Sequence, residues 1–346
     1  MFLIPSIETA GDTYIFSMPT GLHGIKGFIS ILPISQQGSI AINIVGHATG
    51  FFYSNETIQY NTTKGEKQHY ISVYPLNQLD YTSSVTISST SKFLISFMTP
   101  YIVSTDEADG ECGFPCYQDY VTFFPSPVFF TECNGVLSPP DQRIITNDFT
   151  TRLYVSPPKK SSDCDEIFIM TIYNKEDNVN GDEEIITAIG SSTIDLRDKS
   201  EMGSSTSAGQ MPIYRLGSAR DYFDSLYEYG HFLHLVPSTE EWVTGKSQFY
   251  SLAKDCIIEF YTDQAGSDVN SILFDGKVLT KYGYIKDPMN YFKKTYFHFQ
   301  VAVHGYGLHT LENDGKYVLY VICKHVNSVS DAAGYLTGFN RRKTQN

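Results

Sequence analysis

The sequence predicts an all-β protein made of two consecutive antiparallel β-sandwich units. Three observations carry that reading. Apolar and polar residues alternate in short runs at roughly 10-residue spacing, with almost no helical period. Aromatic residues make up 14% of the chain, with 25 Tyr and 23 Phe against a single Trp, and such side chains suit a pleated, half-buried surface. A pattern near one end also returns near the other. Val85 to Met98, VTISSTSKFLISFM, matches the run through Thr310, with Thr86 answering Thr310, Lys92 answering Lys316 and Phe93 answering Tyr317. Two copies so far apart imply two related β units in one chain. The expected division is 1–135, a connecting segment 136–160, and 161–346.

The elements follow in order. Asp12 to Met18 is an opening strand closed by Pro19, and Phe28 to Pro33 and Ser39 to Val45 alternate as the next two. His69 to Tyr74, Ser84 to Ser88 and Phe93 to Met98 complete the first unit. Pro139-Pro140 and Pro157-Pro158 bracket the connecting segment, which holds one expected strand, Thr151 to Val155. Asp165 to Tyr173 and Glu183 to Ile189 flank Asn180-Gly181, a hairpin signal. Gly203 to Gly209 is expected as a flexible loop. Ser218 to Tyr229 is expected as one short helix, with Ser218 as cap and Tyr222, Leu226 and Tyr229 on one face. Strands then recur at His231 to Val236, Ser247 to Leu252, Cys256 to Tyr261, Ser271 to Phe274 and Tyr296 to Val303, with a turn at Asp275-Gly276. The chain closes on an expected hairpin, Leu308 to Leu311 and Lys316 to Cys323, turning at Glu312-Asn313-Asp314-Gly315.

At 346 residues the chain can bury large cores. Its net charge of −13 argues against nucleic acid, whose phosphates need neutralising, and against anionic membranes. No run approaches the roughly 20 apolar residues of a membrane span. Met1 to Pro5 is too short for a signal peptide, so either a leader has been removed or the protein is cytosolic. Six cysteines suit three disulfides and secretion, or six reduced buried thiols. Asn55-Glu56-Thr57 and Asn61-Thr62-Thr63 are sequons, which favour glycosylation of Asn55 and Asn61 on an exported surface.

The catalytic and metal motifs are incomplete. Gly190 to Thr193 lacks the second glycine of a nucleophile elbow, and Thr244-Gly245-Lys246-Ser247 has Glu240 where a P-loop needs its first glycine. Cys112-x-x-x-Cys116 with Cys133 and Cys164 has loosely zinc-like spacing, but disulfides fit as well. His231 and His234 would face opposite sides of a strand. His304 and His309 bracket a Gly-Tyr-Gly turn, where the reading without a metal is favoured. Glu176 to Gly181 half matches a calcium loop, with Thr187 where the closing Glu belongs. Asp106 to Glu111 packs four carboxylates into six residues, a solvated loop or a weak calcium site. The reading is therefore no cofactor, no metal and no enzyme. Proximity in sequence suggests the pairs Cys133–Cys164 and Cys256–Cys323.

Four motifs in a shared order carry a family resemblance. They are the aromatic opening strand; Cys116-Tyr117-Gln118-Asp119-Tyr120 running to Pro125-Ser126-Pro127; Pro237-Ser238 before Trp242; and Gly307-x-His309, Asp314-Gly315-x-Tyr317 with Gly334-Tyr335-Leu336-x-Gly338. Together they resemble the N-terminal domain of IgG Fc-binding proteins. Met18 stands where that family has Phe, and Tyr117-Gln118 where it has Asp-His. The resemblance implies jelly-roll or CUB-like sandwiches, a Cys112–Cys116 disulfide, and a secreted, non-catalytic module acting in adhesion, mucus or matrix. The expected ligand is an extracellular protein or glycan. The alternatives are a β-sandwich hydrolase acting on glycans through two carboxylates, and a calcium-dependent adhesion module.

Overall fold

The computed structural model describes residues 4–19, 27–34, 38–48, 51–61, 69–73, 83–102, 119–161, 164, 167–196, 199–220, 228–327 and 331–342. Among them every regular element is a strand, apart from two single 3₁₀ turns at Ile7–Thr9 and Leu279–Lys281. Among the described residues no helix is long and apolar enough to cross a membrane. The all-β, antiparallel expectation holds throughout.

The strands fall into three consecutive blocks. Block one holds β1 (Gly11–Ser17), β2 (Gly27–Pro33), β3 (Ser39–Ala48), β4 (Phe51–Asn61), β5 (His69–Val73), β6 (Ser83–Ile102) and β7 (Asp119–Phe123). Block two holds β8 (Asp141–Thr146), β9 (Thr150–Val155), β10 (Phe168–Tyr173), β11 (Asp182–Ile186), β12 (Ser192–Asp195), β13 (Glu201–Thr206), β14 (Ile213–Arg220) and β15 (Glu228–Val236). Block three holds β16 (Val243–Ser251), β17 (Asp255–Asp263), β18 (Leu273–Phe274), β19 (Lys277–Val278), β20 (Tyr284–Tyr291), β21 (Lys294–His304), β22 (Gly307–Lys324) and β23 (Ala332–Leu336).

All three blocks share one connectivity. In block one the sheet runs β4-β3-β6-β2-β5, with β1 and β7 also on β6. In block three it runs β19-β18-β22-β17-β21-β20, with β16 and β23 also on β22. The 20-residue β6 and the 18-residue β22 each belong to two layers. The first half of β6 pairs with β1 and β3, and the second half with β2 and β7. Block two makes the same two layers as separate sheets, β11-β10-β13-β8 and β12-β9-β14-β15. There the long strand is interrupted, and β13 and β14 do the work of its two halves. The sequence echo of Thr86 and Lys92 in Thr310 and Lys316 therefore marks equivalent strands, β6 and β22.

Several local expectations change. Residues 136–160, expected as a connector, carry β8 and β9, whose inward Ile144, Ile145, Leu153 and Val155 are buried in the core of block two. Prolines bracket these strands without interrupting them. Gly203 to Thr206 is buried strand, with small residues because the Tyr291 ring lies directly on Gly203. The expected helix has strand at both described ends, Ser218 in β14 and Tyr229 in β15, and its middle lies outside the described residues. Glu312 to Gly315 makes no hairpin. β22 runs through it, and the register against β16 jumps from Val243↔Tyr317 to Gly245↔Asn313, a bulge. Gly315 is there for close approach: a Cβ would come within 2.1 Å of the Gly266 amide nitrogen. Asn180-Gly181 does turn a hairpin between β10 and β11, with Gly181 at φ +66.

Candidate functional site

The most concentrated chemistry lies between blocks two and three. Arg215 on β14 and Glu259 on β17 meet where the two blocks join, and both side chains are fully buried. Arg215 Nη1 meets Glu259 Oε2 at 2.6 Å, and its Nε donates to His234 Nε2 on β15. The guanidinium also stacks on the Tyr320 ring, 4.1 Å from its centre. The other Glu259 oxygen accepts from Tyr261 Oη at 2.8 Å and lies 3.3 Å from both Thr146 Oγ1 and His298 Nε2. His298 Nδ1 reaches Asp148 at 3.8 Å, and Gln300 donates to Asp148 at 2.9 Å. A polar chain thus runs from the half-exposed Asp148 to the buried His234.

Its electrostatics follow from that arrangement. Burial alone would raise the Glu259 carboxyl; the Arg215 guanidinium, with His298, outweighs it and holds the group at about 2. Burial, then Arg215, keep His234 well below the usual imidazole range and neutral. Asp148, Glu259 and His298 place one ligand atom each within 4.8 Å of one another, close enough to share a metal ion. Arg215 already supplies the cation at Glu259, and the two His298 nitrogens turn to different carboxylates. The group is an internal ion-pair chain.

A second buried cluster centres on Arg143 of β8. Arg143 Nη2 holds both oxygens of Asp141, at 3.1 and 3.0 Å. Its Nη1 donates to the Val236 carbonyl and lies 3.8 Å from Glu241. Glu241 accepts from Gln210 Nε2 and the Ser238 amide, both at 2.8 Å. Burial pushes the Glu241 carboxyl up against the pull of Arg143, and Asp141 adds to the rise. Two acids thus share one guanidinium.

Beside this cluster a cleft of about 90 Å³ opens between the first two blocks. Phe123, Phe124, Pro125, Pro127, Phe129, Leu233 and Leu235 wall it, Arg143, Gln210, His234 and Glu241 also line it, and Phe339 and Arg341 approach from the chain's last described residues. The walls come from the segment after β7, which leaves the sheet at a run of prolines that cannot donate to a ladder.

Of the residues singled out by sequence, His234 and the Pro125-Ser126-Pro127 motif belong to these sites; the others lie elsewhere. Cys133 pairs with Cys164 and Cys256 with Cys323, the latter as register partners on β17 and β22. Cys112, Cys116 and the acidic run Asp106 to Glu111 lie outside the described residues. Asn55 is exposed on β4, and Asn61 ends that strand half-buried. His231 and His234 both lie on β15 but are two separate sites, not a ligand pair: Leu233 packs with block one, Phe232 and Val236 with the core of block two. His304 is exposed, while His309 Nδ1 lies 2.8 Å from Asp275. Glu176 to Gly181 is a turn whose Asp177 carboxylate accepts from the Val179 and Asn180 amides. Thr244 to Ser247 lies within β16. Sequence reading missed Arg143, Arg215, Glu241 and Glu259. The available signal was a charge inside an otherwise apolar run, as in Ile257-Ile258-Glu259-Phe260-Tyr261, which implies a strand buried on both faces.

No protein-family model and no curated protein matches this chain. Solved structures similar to it include a lectin from Pleurotus ostreatus in complex with GalNAc, at 7% identity over 96% of this chain and 84% of that one, with a TM-score of 0.14. A marsupial T cell receptor follows at 8% identity over 94% and 99%, TM-score 0.13. An arabinofuranosyltransferase, AftD, from Mycobacteria gives 7% identity over 96% and 34%, TM-score 0.16. Overlap at that level says nothing about function.

Proposed function

We propose that this chain works by binding and not by turnover, as a secreted recognition module for an extracellular protein, with the Phe123–Phe129 cleft as the ligand's seat. The cleft is the observation that carries this reading. Its walls are apolar and aromatic, and its lining brings in a few fixed polar groups, the usual make-up of a binding site. The size fits one apolar side chain. The excess of acid over guanidinium in the Asp141, Arg143 and Glu241 cluster favours a ligand that brings a hydrogen-bond donor. Two disulfides suit an oxidising compartment, and the family resemblance implies the same one. A hydrolase acting on glycans asks for two facing acids about 5–10 Å apart, whereas Glu241 is the one acid among the cleft's lining residues.

Phenol is a suitable probe, since it joins an apolar ring to one donor. Titration into the full chain, followed by NMR, is expected to shift the methyl signals of Leu233 and Leu235 saturably. Phe124→Ala with Phe129→Ala removes the shift. A titration without saturable shifts at those methyls refutes the seat.

A further inference from the structure

The three blocks repeat an interface as well as a fold, and that repetition leaves two faces with no further block against them among the described residues. In block one the outward residues of β1 and the first half of β6 are covered by block two. Thr13, Ile15, Ser17 and Ser84 are all buried, and Ser17 Oγ donates to the Gly190 carbonyl at 2.6 Å. In block two the equivalent strands are β8 and β13, and block three covers them. Tyr291 Oη donates to Glu201 at 2.9 Å, and the Thr146 amide donates to Tyr261 Oη at 3.0 Å. In block three the equivalent strands are β16 and the first half of β22, and nothing among the described residues covers them. Tyr250, 46% exposed, and Leu308, 65% exposed, stand opposite one another in register, beside the exposed Lys246 and Gln248.

The covering surface repeats too. Block two meets block one with Tyr154, Tyr214, Leu216 and Leu233, on the layer of β9, β14 and β15. Block three meets block two with Glu259, Tyr261 and Tyr320, on the equivalent layer of β17 and β22. The equivalent layer of block one is built from β2, the second half of β6, and β7. It faces outward with Leu32, 44% exposed, and Tyr120, 52% exposed. Each end of the chain therefore carries one half of an interface that the interior uses twice.

We propose that the β16–β22 face of one molecule receives the β2–β7 face of a second copy of this chain, so that copies add head to tail. The contact is heterologous, and such contacts close into rings or grow as open chains. Tyr335 on β23 prepares the receiving face: its hydroxyl takes the Tyr250 amide at 2.8 Å and gives to the Tyr250 carbonyl at 2.7 Å. That satisfies the backbone of β16 where its side chain points outward.

Sedimentation velocity on the full chain tests this directly. The wild type is expected to sediment faster as its concentration rises. Tyr250→Glu with Leu308→Asp, and separately Leu32→Asp with Tyr120→Glu, should each hold the chain as a monomer with an unchanged near-UV circular dichroism spectrum. Should either double variant lose that spectrum, Gln248→Glu or Thr122→Lys alone serves in its place. An equimolar mixture of the two variants should give a dimer and nothing larger, because one intact pair of faces remains between them. A wild type that stays monomeric at every concentration overturns the proposal. So does a dimer that survives both variants, or a mixture that never dimerises.

Discussion

Tyr214 and Arg215 are neighbours on β14, yet they belong to different interfaces held by different physics. Tyr214 turns to block one. Its ring lies 5.1 Å from Phe123, and its hydroxyl accepts the Ser126 amide at 2.8 Å. Arg215 turns to block three and meets Glu259. The first interface is mainly aromatic and apolar, with the Tyr214 and Ser17 hydroxyls hydrogen-bonded in it, so its stability follows buried area, about 1.5–3 kcal/mol per large side chain. The second buries charge, which stabilises little in net terms but penalises any misfit heavily. One connectivity is thus joined twice, once by an adaptable surface and once by a contact that tolerates a single partner. The comparison teaches that the covering layer can change its chemistry without changing its place.

Charge removal should break the second interface hardest. Glu259→Gln leaves Arg215 buried without its partner and should cost about 3–5 kcal/mol in urea unfolding. Arg215→Met combined with Glu259→Leu should restore most of that loss, which an apolar interface would not do. Next in size is the Cys256–Cys323 bridge, whose ends are 67 residues apart. Replacing both with Ala should cost about 4 kcal/mol in the chain-entropy account. The effect should fall on block three and leave the Tyr214 interface intact by hydrogen exchange.

Acid separates the two interfaces more finely. Burial holds His231 down to about 4, against an ordinary 6.5, so between those values the unfolded chain binds the extra proton. Stability is full above about 6.5 and falls as pH drops to about 4. His234, also depressed, acts in the same direction. Glu259 adds a lower window: its stabilisation is full above its ordinary 4.5 and is lost as pH falls toward about 2. His231→Phe should make the upper window shallower, leaving the His234 contribution, without moving the lower one in a pH series of unfolding midpoints. The smallest change should come from Tyr214→Phe, about 1 kcal/mol, since it removes one acceptor and keeps the ring.

The sequence made some of this legible and hid the rest for identifiable reasons. Alternation found β3 because it has one clear inward face, while β9 and β17 showed as apolar runs because both of their faces are buried. Asn180-Gly181 signalled its hairpin because the turn needs positive φ locally. Asn313-Asp314-Gly315 looked the same but serves a distant neighbour, Gly266, which no local window contains. The small residues of Gly203 to Thr206 resembled a linker, although the Tyr291 ring selects them from 88 positions away. The third block went uncounted because β13 and β14 split the strand whose echo marks the other two. Arg215 and Glu259 left only the trace of a charge within an apolar run, for a related reason. Each looks outward-facing in its own strand, and only the partner strand makes burial tolerable.

The unbroken run of β22 has a mechanical corollary. A strand that crosses from one layer of a sandwich to the other carries tension between them through its own covalent backbone. Blocks one and three have such a tendon. Block two is spliced between Thr206 and Ile213. A steady pull on the two ends of the molecule should therefore open the middle first, where a connecting loop replaces the continuous strand between the layers.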